Sequence, residues 1–130
     1  MLLYIQFDSE VPIYQQIKNQ IIRAIASGEL KLGEDLPSVR QLAADIGINF
    51  HTVNKVYNQL KQEGWVVIHR KSGVMINPDL KAEKTKDYIE YLEEIMKNIS
   101  AEAYLRGVSK EEFMDIVEKN YDSYNVIKGD

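Results

Sequence analysis

Apolar residues recur along this chain mostly at helical spacing, with strand-like alternation at the start and again in the middle. Leu3, Ile5 and Phe7 alternate with Tyr4 and Gln6, which predicts a short opening strand. Tyr14, Ile17, Ile21 and Ile25 then share one helical face. Pro12 is expected to open this helix, because an early helical N–H has no internal partner to lose. Gly28 supplies the stop, so the first helix is predicted over about 12–27.

A turn-rich stretch from Glu29 to Pro37 follows. Ser38 suits an N-cap, with Gln41 placed to complete a capping box. Leu42, Ala43 and Ile46 give a short helix over 38–46, which Gly47 ends. Asn49 can cap a third helix that reaches Glu63 and stops at Gly64. Its faces separate cleanly: Val53, Val56, Tyr57 and Leu60 on one side, His51, Lys55, Asn58 and Gln62 on the other. Two helices joined by a short turn containing glycine form a helix-turn-helix unit. Trp65 to His69 and Val74 to Ile76 then read as two strands around the polar turn Arg70-Lys71-Ser72-Gly73.

Beyond Pro78 the helical period returns. Tyr88, Leu92, Ile95, Ile99 and Ala103 share a face, and Gly107 closes that fourth helix. Ser109 and Glu112 form a capping box for a fifth, flanked by a Val108–Phe113 staple. Phe113, Ile116, Val117, Tyr121 and Tyr124 make its stripe, and the end Lys128-Gly129-Asp130 reads as frayed. The predicted fold is mainly α with a small β-hairpin wing. A winged helix-turn-helix over 1–77 precedes a two-helix dimerisation region over 78–130.

The 130 residues suffice for one core. No cysteine is present, which excludes a disulfide framework and cysteine-based metal sites and fits a reducing cytoplasm. The start lacks the basic and apolar runs of a signal peptide. No stretch approaches the roughly 18 consecutive apolar residues of a membrane span. A cytoplasmic protein with no membrane partner is expected. The net charge of −4 is unevenly spread: residues 81–130 hold twelve acidic and eight basic side chains. Between Leu36 and Gly73 the sign reverses, with Arg40, Lys55, Lys61, Arg70 and Lys71 against Asp45 and Glu63. Such a local basic surface is what attraction to phosphate requires.

The helix order and basic hairpin predict duplex DNA as the partner. One helix fills the major groove while the hairpin tip reaches neighbouring backbone or minor groove. Asn49 leaves helical N–H donors facing outward where a phosphate can sit. Phe50, His51 and Thr52 occupy the first turn, and Lys55 and Asn58 extend the polar face. Each has a plainer alternative. Phe50 can pack under the turn rather than touch a thymine methyl, His51, Lys55 and Lys61 can be solvated, and Arg40 can pair with Asp45 or cap the hairpin. Arg70 and Lys71 repel each other unless a polyanion is near. His69 reads as a strand residue. No metal, cofactor or catalytic residue is expected, because no carboxylates gather around either histidine and no nucleophile motif or phosphate loop occurs. A winged helix that binds protein instead of DNA is the alternative function, and it would present an apolar rather than cationic face.

The run Pro12-Ile13-Tyr14-Gln15-Gln16-Ile17, then Ile25-Ala26-Ser27-Gly28-Glu29-Leu30, Gly33 and Leu36-Pro37-Ser38-Val39-Arg40-Gln41-Leu42-Ala43, resembles the GntR family. The likeness continues through Gly47-Ile48-Asn49, Thr52-Val53, Tyr57, Leu60 and Glu63-Gly64 to Gly73. A tail of only two helices resembles the YtrA-type branch, which lacks a large effector domain. The resemblance implies a homodimeric transcriptional repressor on an inverted-repeat operator, often controlling transporter or envelope-stress genes. It implies phosphate and base contacts at Ser38, Arg40, Asn49, His51, Thr52 and the wing near Arg70 and Gly73. Phe50 and His51 depart from residues common there, and Lys71 replaces the wing's usual first glycine. On this reading Tyr88, Leu92, Ile95, Ile99, Phe113, Ile116, Val117 and Tyr121 form the seam between two copies. A small-molecule effector is not identifiable from the sequence.

Overall fold

The computed structural model describes residues 3–71, 73–80 and 82–129. Helix α1 (Ile13–Ser27) buries Gln16, Ile17, Ile21, Ala24 and Ile25 and ends at Gly28, whose φ is 83°. Pro12 stands just before the helix, where its carbonyl accepts the amides of Gln15 and Gln16, each at 3.0 Å. Helix α2 (Val39–Ile46) starts where the Ser38 hydroxyl accepts the Gln41 amide at 3.1 Å. The reciprocal half of the expected capping box is not made. The Gln41 side-chain amide donates to Asp45 Oδ1 at 2.7 Å instead.

Helix α3 (Phe50–Gln62) is capped by Asn49, whose Oδ1 accepts the His51 amide at 2.8 Å. Val53, Val56, Tyr57 and Leu60 are completely buried. Each buried aliphatic side chain contributes about 1.5–3 kcal/mol, so this stripe fixes the rotation of α3 about its axis. The Tyr57 hydroxyl donates to Pro37 O at 2.8 Å, tying α3 to the residue before the α2 cap. Burial pushes the Tyr57 phenol above the usual tyrosine range.

The hairpin forms as expected, with β2 (Val66–His69) and β3 (Gly73–Ile76) antiparallel from Val66↔Ile76 to His69↔Gly73. Sequence reading missed a further strand. Asp35–Leu36 (β1) pairs with the other edge of β3, giving the order β1-β3-β2. Two residues in a turn-rich stretch carry no strand pattern of their own, so only the β3 edge makes them one. Asn77 is buried, donates to Gly64 O at 3.1 Å and accepts the Asp79 amide at 3.0 Å, which anchors the wing's exit to the end of α3.

The predicted opening strand does not form. Residues 3–6 have no strand partner. Gln16 and Gln20, one turn apart on α1, satisfy that backbone with their side-chain amides. Gln20 accepts from Tyr4 N at 2.9 Å and donates to Tyr4 O at 2.7 Å. Gln16 does the same for Gln6, both at 2.9 Å. The alternation of the segment is thus real, but the pairing surface is a helix.

Two compact units result: Met1–Ala82 with Asn125–Asp130, and Glu83–Tyr124. In the second, Thr85 caps α4 (Lys86–Leu105) by accepting the Tyr88 amide at 3.1 Å. The predicted capping box opens α5 (Lys110–Asp122), with Glu112 N donating to Ser109 Oγ at 3.0 Å and Ser109 N to Glu112 Oε1 at 3.4 Å. Neither helix holds a buried residue. Lys128 and Gly129, read as frayed, instead return to the first unit, where Lys128 bridges to Leu32; Asp130 lies outside the described residues. Among the described residues no helix is long and apolar enough to cross a membrane.

Candidate nucleic-acid interface

Burial of the Val53–Leu60 stripe leaves the other side of α3 open. His51, Asn54, Lys55, Asn58, Lys61 and Gln62 are exposed, so the wet face expected from the sequence is present. Thr52 is half-buried. Its amide donates to Asn49 O at 3.1 Å, while the His51 amide is taken by the Asn49 side chain. Of the donors expected to face outward at this helix start, Asn49 itself takes these two.

Three sequence-predicted residues converge through their side chains. The Phe50 and His51 rings lie 4.2 Å apart between centroids at an interplanar angle of 36°. The Arg40 guanidinium, from α2, sits 5.9 Å from the Phe50 centroid. Phe50 is 43 % exposed, so it supports Arg40 and His51 from the surface rather than from within the core. The alternative pairing of Arg40 with Asp45 is absent, since Asp45 is engaged by Gln41. Ser38 is exposed, but its hydroxyl accepts in the cap of α2.

Lys55 and Asn58 are exposed but not unengaged. The Lys55 ammonium lies 4.1 Å above the Tyr14 ring of α1, a cation–π contact. The Asn58 side-chain amide donates back to Asn54 O at 2.9 Å. Neither Tyr14 nor Phe50 was legible as a platform for a cation, because both contacts join residues that no local pattern relates.

On the wing, Arg70 and Lys71 are exposed at the turn and Gly73 closes it with φ at 83°. A side chain at position 73 would demand that left-handed backbone, which favours glycine. Ser72 lies outside the described residues. Among the described residues Arg40, Lys55, Lys61, Arg70 and Lys71 form no ion pair, whereas nearby Glu63 is neutralised by Lys18. No carboxylate among the described residues therefore neutralises the positive charge of this surface. No group of three or more metal-ligating side chains occurs among the described residues.

The candidate seam residues lie on α4 and α5. Tyr88, Leu92, Ile99, Ile116 and Tyr121 are exposed, and Ile95, Phe113 and Val117 are half-buried. Tyr91, Tyr104, Leu105 and Met114 add to the uncovered apolar surface, which the sequence stripe underestimates.

The family model for bacterial regulatory proteins of the gntR family matches residues 13–76, from the start of α1 to the end of β3. The chain is 33% identical over 117 residues to the HTH-type transcriptional repressor YtrA of Bacillus subtilis (strain 168), across 88% of this chain and 90% of that relative. Among solved structures it is similar to YtrA from Sulfolobus acidocaldarius, a GntR-family transcription factor, with a TM-score of 0.55 at 37% identity over 90% of this chain and 94% of that one. It is also similar to a transcriptional antiterminator from Listeria monocytogenes EGD-e, with a TM-score of 0.83 at 26% identity over 100% of this chain and 96% of that one.

Proposed function

The chain belongs to the GntR family of bacterial regulatory proteins, whose members are transcriptional regulators rather than enzymes, and from that premise we propose that it is a repressor binding an inverted-repeat operator as a homodimer. The observation that carries the reading is the set of cations on α2, α3 and the wing with no carboxylate partner among the described residues, over a helix whose apolar side is wholly committed to the core. Such a helix has a polar face of the size the major groove accepts.

In this reading Arg40, Phe50 and His51 contact base edges as one stacked unit. Ser38, Asn49, Thr52, Lys55 and Asn58 contribute backbone and flanking contacts. Arg70, Lys71 and Gly73 bring the wing to the adjacent strand. Residues 1–77 carry recognition and 78–130 dimerisation. The exposed apolar faces of α4 and α5 support the second assignment, since two helices without a buried residue gain stability only against a partner. A second copy supplies it by two-fold symmetry and presents two recognition helices to half-sites about 34 Å or a multiple apart. The protein acts in the cytoplasm, where its operator is.

Selection of duplexes from a random-sequence pool by the purified protein tests the reading. The expected product is a palindromic sequence whose binding weakens steeply with added salt, because phosphate contacts release counterions. A pool with no enrichment, together with salt-independent retention, would refute it and favour a protein partner.

A further inference from the structure

Helix α1 lies outside the helix-turn-helix unit, yet it meets the polar side chains of α3 at two points within the same compact unit. Lys18 pairs with Glu63 at the end of α3, and the Tyr14 ring carries the Lys55 ammonium 4.1 Å from its centroid. The two contacts differ in kind. Glu63 also accepts from Trp65 Nε1 at 3.3 Å, so that ion pair is tied into the protein itself. Lys55 is exposed and forms no ion pair with a carboxylate among the described residues. The ring is what meets its charge.

Tyr14 suits this role because it is half-buried and packs against the core, which makes its ring a fixed surface. The separation is well inside the roughly 6 Å reach of a cation–π attraction. It is also shorter than the 5.9 Å between Arg40 and the Phe50 ring. A lysine carries its compact charge on a flexible stem, and ordering that stem on a phosphate costs rotamer entropy. A stem already laid across a ring loses less of it. The ring occupies one side of the ammonium, and the N–H donors turned away from it remain able to meet a phosphate.

We propose that Tyr14 is a positioning residue for DNA binding, whose ring holds Lys55 ready for a backbone phosphate and stays against it in the complex. The inference rests on the DNA reading above, and it brings α1 into recognition through a residue that does not itself touch the duplex. It concerns affinity and register on the backbone rather than choice of sequence.

The test titrates the duplex selected by the full chain with the parent, Tyr14→Phe, Tyr14→Leu, Lys55→Ala and the double variant Tyr14→Leu with Lys55→Ala. Tyr14→Leu, which removes the ring, is expected to weaken binding roughly two- to fivefold, the size of a cation–π contact at an exposed site. Tyr14→Phe keeps the ring and should retain most of the affinity. In the Lys55→Ala chain, Tyr14→Leu should cost nothing further, because the coupling belongs to the pair. Tighter binding by Tyr14→Leu overturns the proposal, since ring and phosphate would then compete for Lys55. So does an undiminished loss in the Lys55→Ala background, which would make Tyr14 act without Lys55. A Tyr14→Phe loss as large as that of Tyr14→Leu overturns it as well, by making the hydroxyl the contact, and so does parental affinity in Lys55→Ala. If Tyr14→Leu fails to fold, proton spectra of the parent decide. The Lys55 ε-methylene protons should be shifted upfield by the ring and keep that shift on the duplex, and its loss on binding refutes the role. A full chain that selects no duplex removes the underlying reading instead.

Discussion

At the scale of single residues, the site depends on contacts that a list of exposed cations does not reveal. Arg40 extends over Phe50, which in turn stacks on His51, so the guanidinium is preorganised before DNA arrives. Arg40→Ala is expected to weaken binding to the selected operator by about 1–3 kcal/mol and to relax discrimination at one base pair. A titration series over operator variants that shows unchanged affinity and unchanged preference would reassign Arg40 to a structural role. Tyr57 acts one layer deeper, holding Pro37 O beside the cap of α2. Tyr57→Phe should lower stability by about 1 kcal/mol, read as a reduced urea midpoint at constant slope. Its ionisation gives a second reading. Burial raises the folded-state value, so below the unfolded value of about 10 the contribution is complete, and it declines as pH rises beyond that. Alkaline destabilisation should therefore be shallower in Tyr57→Phe, and identical alkaline limbs would contradict the assignment.

At the scale of elements, what was legible followed from local chemistry. Ser38, Asn49 and Ser109 mark helix starts because a short polar side chain caps within its own turn, and all three do so. The wet and dry faces of α3 were legible for the same reason, since a 3.6-residue period needs no distant partner. Legibility ended where partners are remote. Asp35–Leu36 becomes a strand only through β3. Leu3–Phe7 has strand alternation, yet its backbone is met by Gln16 and Gln20, whose role nothing in their spacing announces. The end of the chain pairs with a turn almost a hundred residues earlier, so it looked free. The same division applies to the wing. Its turn and charges were readable, and Lys71 points from an exposed turn with no carboxylate partner among the described residues. Lys71→Ala should weaken all duplexes alike and flatten the salt dependence by about one unit. A changed preference between operators would instead make Lys71 a base reader.

At the scale of the whole molecule, charge and apolar surface are segregated along the chain. The acidic excess belongs to residues 81–130, and the cations without a carboxylate partner among the described residues belong to α2, α3 and the wing. Negative charge on the helix pair repels phosphate and favours approach through the winged helix, so a net charge of −4 is compatible with a DNA partner. Acidic side chains alone would not keep two helices soluble with Tyr104 and Leu105 more than four-fifths exposed and Tyr121 76% exposed. In the dimeric reading proposed above, a second copy covers that surface, and a stable dimer needs roughly 1,000 Å² or more of it. A charge placed in the seam should undo the assembly while sparing the winged helix, which has its own core. Ile99→Glu combined with Ile116→Glu is expected to give a monomer by sedimentation at micromolar concentration. It should also abolish the rise of melting temperature with protein concentration that linked association imposes on the parent chain. Affinity for a single half-site should persist while affinity for the palindrome falls by about a hundredfold, the size of gain that joining two sites supplies. If the double variant remains a dimer, the seam lies elsewhere on the molecule, and the spacing of half-sites must be set by another surface.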